Sequence, residues 1–90
     1  MMNETITYAA ARQEAVRDLD RMYPGTIFLT LEQVANIYGY ENPQKARKAS
    51  ALPRVQVGGR AKYYKGDIAS DIARRRLGNV AMIFPVSRSV

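Results

Sequence analysis

The chain has 90 residues, 47% of them apolar, no cysteine, no histidine and a formal net charge of +6. That length supports one core and one domain, and so mixed a charge pattern is not that of a disordered polyelectrolyte. The missing residue types exclude a disulfide framework, cysteine nucleophiles and histidine acid–base chemistry, and they argue against zinc. No metal or cofactor is expected. No apolar run approaches the ~20 residues of a membrane span, and no basic-then-apolar leader opens the chain. A cytoplasmic protein with no membrane partner is the expectation.

In chain order, residues 7–23 read as a helix. Tyr8, Ala11, Ala15, Leu19 and Met22 form one apolar stripe, Thr5 or Thr7 supplies the N-cap, and Pro24-Gly25 stops the run. Ile27-Phe28-Leu29 is a short strand or a core-filling linker. Thr30-Leu31-Glu32-Gln33 matches a capping box, with Leu31, Val34, Ala35 and Tyr38 on one face and Gly39 as a left-handed stop. A third, short helix begins at Asn42-Pro43, a strong cap followed by a proline at the first helical position. Two short helices joined by the three residues 39–41 have helix-turn-helix spacing.

At about 100° per residue, Ala46 and Ala49 of this third helix face the core. Gln44, Arg47, Lys48 and Ala51 point away, with Lys45 on the flank. Such a face suits contact with base edges, and it is also what an ordinary solvated helix presents. Val55 and Val57 then alternate toward a Gly58-Gly59 turn. A two-residue loop would set Val57 against Arg60 and Val55 against Lys62. A three-residue loop, 58–60, sets Val57 against Ala61 and Val55 against Tyr63, and turns Lys62 and Tyr64 outward. Alternation favours the three-residue loop, with Arg60 at its tip.

The last helix is expected from an Asp67 N-cap to Leu77, with Gly78 as its stop. Arg74, Arg75 and Arg76 would then crowd its final turn, complementing the helix dipole or contacting phosphate. Residues 79–90 carry the apolar run Val80-Ala81-Met82-Ile83-Phe84, packed on the domain or reserved for a partner.

Charge is unevenly spread along this order. Residues 42–66 hold seven Lys/Arg (Lys45, Arg47, Lys48, Arg54, Arg60, Lys62, Lys65) and no acid, while residues 1–41 carry a net −3 and residues 67–90 a net +2. A basic segment that also reads as folded is the footprint of a surface that meets a polyanion.

From residue 28 to about 76, Leu-Thr-Leu-Glu-Gln-Val-Ala-Asn-Ile-Tyr-Gly, a short helix, and Leu-Pro-Arg-Val-Gln-Val-Gly-Gly-Arg-Ala-Lys-Tyr-Tyr-Lys-Gly-Asp-Ile follow one another. This order resembles the excisionase-like winged-helix domains, related to MerR-type DNA-binding heads, of phage excisionases and AlpA-like regulators. The resemblance implies a winged helix-turn-helix, a mostly α fold with a small β-hairpin, to which the helix at 7–23 is an extra N-terminal addition. Residues 1–26 would be the extension, 27–78 the DNA-binding domain and 79–90 an apolar tail. It also implies double-stranded DNA as partner, with helix 42–51 reading it and Arg60 and Lys62 as wing contacts.

Two departures from the family stand out. The reading segment lacks the Ser/Thr-rich start common in these domains, and no long coiled coil or effector domain is expected after the head, which points away from a full MerR-type sensor. Small phage terminase subunits resemble the fold as well.

The expected function is therefore a sequence-specific DNA-binding protein of a mobile element, an excisionase or a transcriptional regulator. Gln44, Arg47 and Lys48 would read bases, flanked by Lys45 and Arg54, and Arg60, Lys62 and Lys65 would hold phosphates. Neutralising about 5 to 7 phosphates gives a log affinity against log salt slope of about −4 to −6. Self-association at least on DNA is expected, with the extra N-terminal helix and the 79–90 tail as candidate contacts. It should weaken when 79–90 is deleted, and a recombinase is a further candidate partner. The alternatives are an adaptor or packaging component that uses the same face on an acidic protein, and a weaker RNA reading through Tyr38, Tyr40, Tyr63 and Tyr64. An enzyme is not expected: Asp67 and Asp71 read as capping and pairing residues, and Gly58-Gly59 lacks the rest of a phosphate-binding loop.

Overall fold

The computed structural model describes residues 6–49 and 52–81. Four helices and three short strands follow one another: α1 (Tyr8–Met22), β1 (Phe28–Leu29), α2 (Leu31–Tyr38), α3 (Pro43–Ala49), β2 (Val55–Val57), β3 (Arg60–Tyr64) and α4 (Lys65–Ala81). The chain is thus mostly helical with a small antiparallel sheet in the order β1-β3-β2.

Local chemistry fixes the helix starts. The Thr7 hydroxyl accepts from the Ala10 amide at 3.1 Å and caps α1. At α2 both halves of the capping box form: Gln33 N–H donates to Thr30 Oγ1 and Thr30 N–H donates to Gln33 Oε1. Gly39 closes α2 at φ +78°, where a side chain would be strained. The turn then leads to α3, where Asn42 Oδ1 accepts from Lys45 N–H at 3.0 Å.

One core joins these elements. Leu19, Leu29, Val34 and Ile68 are its largest fully buried side chains, with Ala15, Leu52, Tyr63 and Ala69 beside them. Because α1 contributes Ala15 and Leu19, it shares the core of the segment that follows it. It lies antiparallel to α4: Lys65 reaches Asp20 near the end of α1, while Arg76 reaches Glu14. Arg12 adds bonds from Nε to Ser70 Oγ at 2.8 Å and from Nη2 to Gly66 O at 3.3 Å. Only the middle of the α1 stripe is covered, and Tyr8 and Met22 at its ends stay exposed. Ile27-Phe28-Leu29 resolves as strand β1, which pairs Phe28 with Tyr64 and Leu29 with Tyr63.

The hairpin departs from the expected register. Val55 opposes Lys62, Gln56 opposes Ala61 and Val57 opposes Arg60, which is the two-residue loop. Gly58 and Gly59 both have positive φ, +59° and +80°, the backbone of a turn whose twist matches the strands it joins. That backbone preference outweighs the alternation argument, because the aliphatic stems of Arg60 and Lys62 can lie across the valines with their charges in water. Tyr63, expected opposite Val55, is buried against Leu29 of β1.

The last helix also differs. It begins at Lys65, whose N–H donates to Ile27 O at 2.8 Å, so Asp67 sits in the first turn and is not the cap. It runs through Gly78 to Ala81, since a helical glycine costs only about 1 kcal/mol relative to alanine. The three arginines are therefore not in the last turn. Arg75 Nε donates to Asp71 Oδ2 at 2.8 Å and its guanidinium lies 5.1 Å from the Tyr38 ring centre. Arg76 pairs with Glu14, and Arg74 is exposed. The expected tail contacts lie outside the described residues from Met82 onward. Among the described residues, no helix is long and apolar enough to cross a membrane.

Candidate functional site

Ala46, with no exposed surface, anchors α3 to the body, and the neighbouring Gln44, Lys45 and Arg47 are exposed. The side chain of Lys48, like Ala51, lies outside the described residues. Lys45 Nζ meets Glu41 Oε1 at 3.3 Å. Both partners are largely solvated, so this pair holds the ammonium only weakly.

The hairpin stands beside this face. An open cleft is bounded by the start of α2 (residues 30–32), the start of α3 (Pro43 and Gln44) and β3 (residues 60–62). The observed register is what brings Arg60 and Lys62 to it together: two apart on one strand, they share a sheet face. On the other flank of α3, Arg47, Leu52, Arg54 and Tyr63 line a second recess. Gln44 thus sits near Arg60 and Lys62, and Arg47 near Arg54.

Among the described residues, Arg47, Arg54, Arg60 and Lys62 take part in no ion pair. The acids elsewhere are largely spent: Glu14, Asp18, Asp20 and Asp71 each meet a Lys or Arg within 3.2 Å. Four cations without an ion-pair partner around one short helix make this a locally positive surface.

Lys65 does not join them. It is buried, at 8% exposure, and its Nζ donates to Asp20 Oδ1 at 2.9 Å and to Tyr23 O at 2.7 Å. Expected as a phosphate contact, it instead ties the end of α1 to the junction of β3 and α4. Its partners lie 45 and 42 residues away in sequence, so charge counting along the chain could not see them.

One residue of the cleft escaped the sequence reading. Glu32, exposed in the first turn of α2, lines the same cleft as Gln44, Arg60 and Lys62. Its helix-capping context accounts for it locally, and only the approach of the hairpin to α2 gives it a second setting.

Two of the four candidate stacking tyrosines are engaged, and Tyr64 is exposed. Tyr63 is buried, and Tyr38 Oη donates to Asp71 Oδ2 at 2.6 Å. Burial first, then this hydrogen bond, pushes the Tyr38 phenol far above its ordinary value, and the same carboxylate raises Arg75. This cluster bolts α2 to α4. Asp71 is held within it. Among the described residues no three Asp or Glu side chains converge as a metal site.

Comparison of the chain with protein-family models, with curated proteins and with solved structures finds no match in any of the three. The functional reading therefore rests on the residues and their arrangement.

Proposed function

We propose that the protein binds double-stranded DNA as a winged helix-turn-helix. In this reading α3 enters the major groove through Gln44, Lys45, Arg47 and Lys48, and the β2–β3 hairpin serves as the wing, with Arg60 and Lys62 on the backbone and Arg54 beside them. The observation that carries it is the placement of four unpaired cations around one short helix, Arg60 and Lys62 on one flank of α3 and Arg47 and Arg54 on the other. Support also comes from the turn between α2 and α3, closed by a left-handed Gly39, which is the spacing such motifs use. Phosphate contacts supply affinity, and the amide and guanidinium groups of α3 supply base discrimination.

The resemblance of residues 28–76 to excisionase-like domains extends the proposal to a role in a mobile element, as an excision factor or a transcriptional regulator. The test is selection from a random duplex pool in excess competitor DNA. Enrichment of one short sequence, lost in Arg47→Glu and Arg60→Glu, is expected. Failure to retain any duplex, with retention of an acidic protein instead, would replace DNA by a protein partner.

A further inference from the structure

The cleft between α3 and the hairpin holds one carboxylate among its cations. Glu32 is exposed, shares the cleft with Gln44, Arg60 and Lys62, and has no ion-pair partner among the described residues. Glu41, the other acid beside α3, is already paired with Lys45. An acid on a polyanion-binding face opposes its ligand unless a donor meets it. Phosphate offers none, and a carboxylate that loses water without gaining a hydrogen bond is costly.

The geometry points to Glu32 as a specificity-determining residue, which accepts a hydrogen bond from the amino group of a base in the major groove while Gln44 reads beside it. This inference rests on the DNA-binding reading above. The start of a reading helix is the part that approaches base edges, and the cleft places Glu32 beside that end of α3. In the major groove the amino donors are cytosine N4 and adenine N6, and carboxylates pair characteristically with cytosine N4. Gln44, with both donor and acceptor, is matched to adenine. Where no amino group faces Glu32, its charge is left unpaired against the backbone, so the residue acts by penalising wrong sequences as much as by favouring the right one.

Its place in the first turn of α2 also suits the helix dipole, and the test must separate the two roles. Glu32→Gln keeps the shape, and the capping box stays intact because it is formed by Thr30 and Gln33. Site selection from random duplex is run in parallel for the wild type and Glu32→Gln, with a melting temperature for each. The expected result is a preference relaxed by about 5- to 100-fold at a single amino-bearing base-pair position, tighter binding to non-cognate duplex, and melting within a few degrees of wild type. Identical enriched sequences for the two proteins would overturn the inference and leave the DNA reading standing. Uniform tightening on every sequence would overturn it too, because the carboxylate would then only repel phosphate. If the wild type enriches no sequence, the parent reading fails and this one falls with it.

Discussion

Lys65 and Arg60 were equivalent in sequence, both cations of the acid-free segment, and their structural settings predict opposite behaviour. Lys65→Met keeps the apolar stem and removes the ammonium. Tyr23 O loses its 2.7 Å donor, and depriving a part-buried carbonyl of its partner costs about 1–3 kcal/mol. Asp20, whose side chain is 61% exposed, regains water, so breaking its 2.9 Å pair adds little. At 4–8 °C per kcal/mol for a chain of this size, melting should fall by roughly 5–20 °C. The salt dependence of DNA binding, measured by fluorescence anisotropy, should not change. Arg60→Ala should do the reverse. Melting should move by no more than about 3 °C, as surface substitutions do. Its salt slope should be shallower by about 0.9, the share of one phosphate contact. Unchanged melting of Lys65→Met together with a shallower slope would refute this assignment and return Lys65 to the binding face.

Other outcomes follow from the fold. Tyr38 has a folded-state pKa raised above its ordinary 10.0, so its contribution is fully present below pH 10 and is lost as pH rises above it. Wild type should therefore lose stability above pH 10 faster than Tyr38→Phe, by up to about 1.4 kcal/mol per pH unit. Parallel slopes in alkaline denaturant titrations would contradict this. Gly59→Ala places a side chain at φ +80° and should cost about 1–2 kcal/mol. It should also weaken DNA binding through Arg60 and Lys62, both readable by melting and anisotropy. Leu29→Ala empties a fully buried position and should cost about 2–5 kcal/mol in urea unfolding.

How much of this was legible in the sequence follows the range of the interaction involved. Thr7, Thr30 with Gln33, Gly39 and Asn42 act on backbone groups within a few residues, and each is readable from its neighbours, Thr7 only as one of two candidates with Thr5. The apolar stripe of α1 was readable in its middle but not at Tyr8 and Met22, because its limits depend on how far α4 covers it. The hairpin register failed where two local rules competed. Side-chain alternation pointed to three loop residues, and the backbone of two consecutive glycines required two. Gly78 reads locally as a stop yet lies within α4, because glycine permits a left-handed turn without compelling one. Of the candidate site, the exposure of Gln44, Lys45 and Arg47 followed from helical geometry. The burial of Lys65 and the position of Glu32 did not, since both are set by packing between elements distant in sequence.

If the α3 face and the hairpin neutralise the backbone of duplex DNA, the affinity of the full chain for a selected duplex must fall across a salt series. With Lys65 outside the contact set, the expected log–log slope is about −4 to −5, falling toward −1 when Arg47, Arg54, Arg60 and Lys62 are together replaced by Gln. A near-flat wild-type slope, or one that survives that replacement, would contradict it.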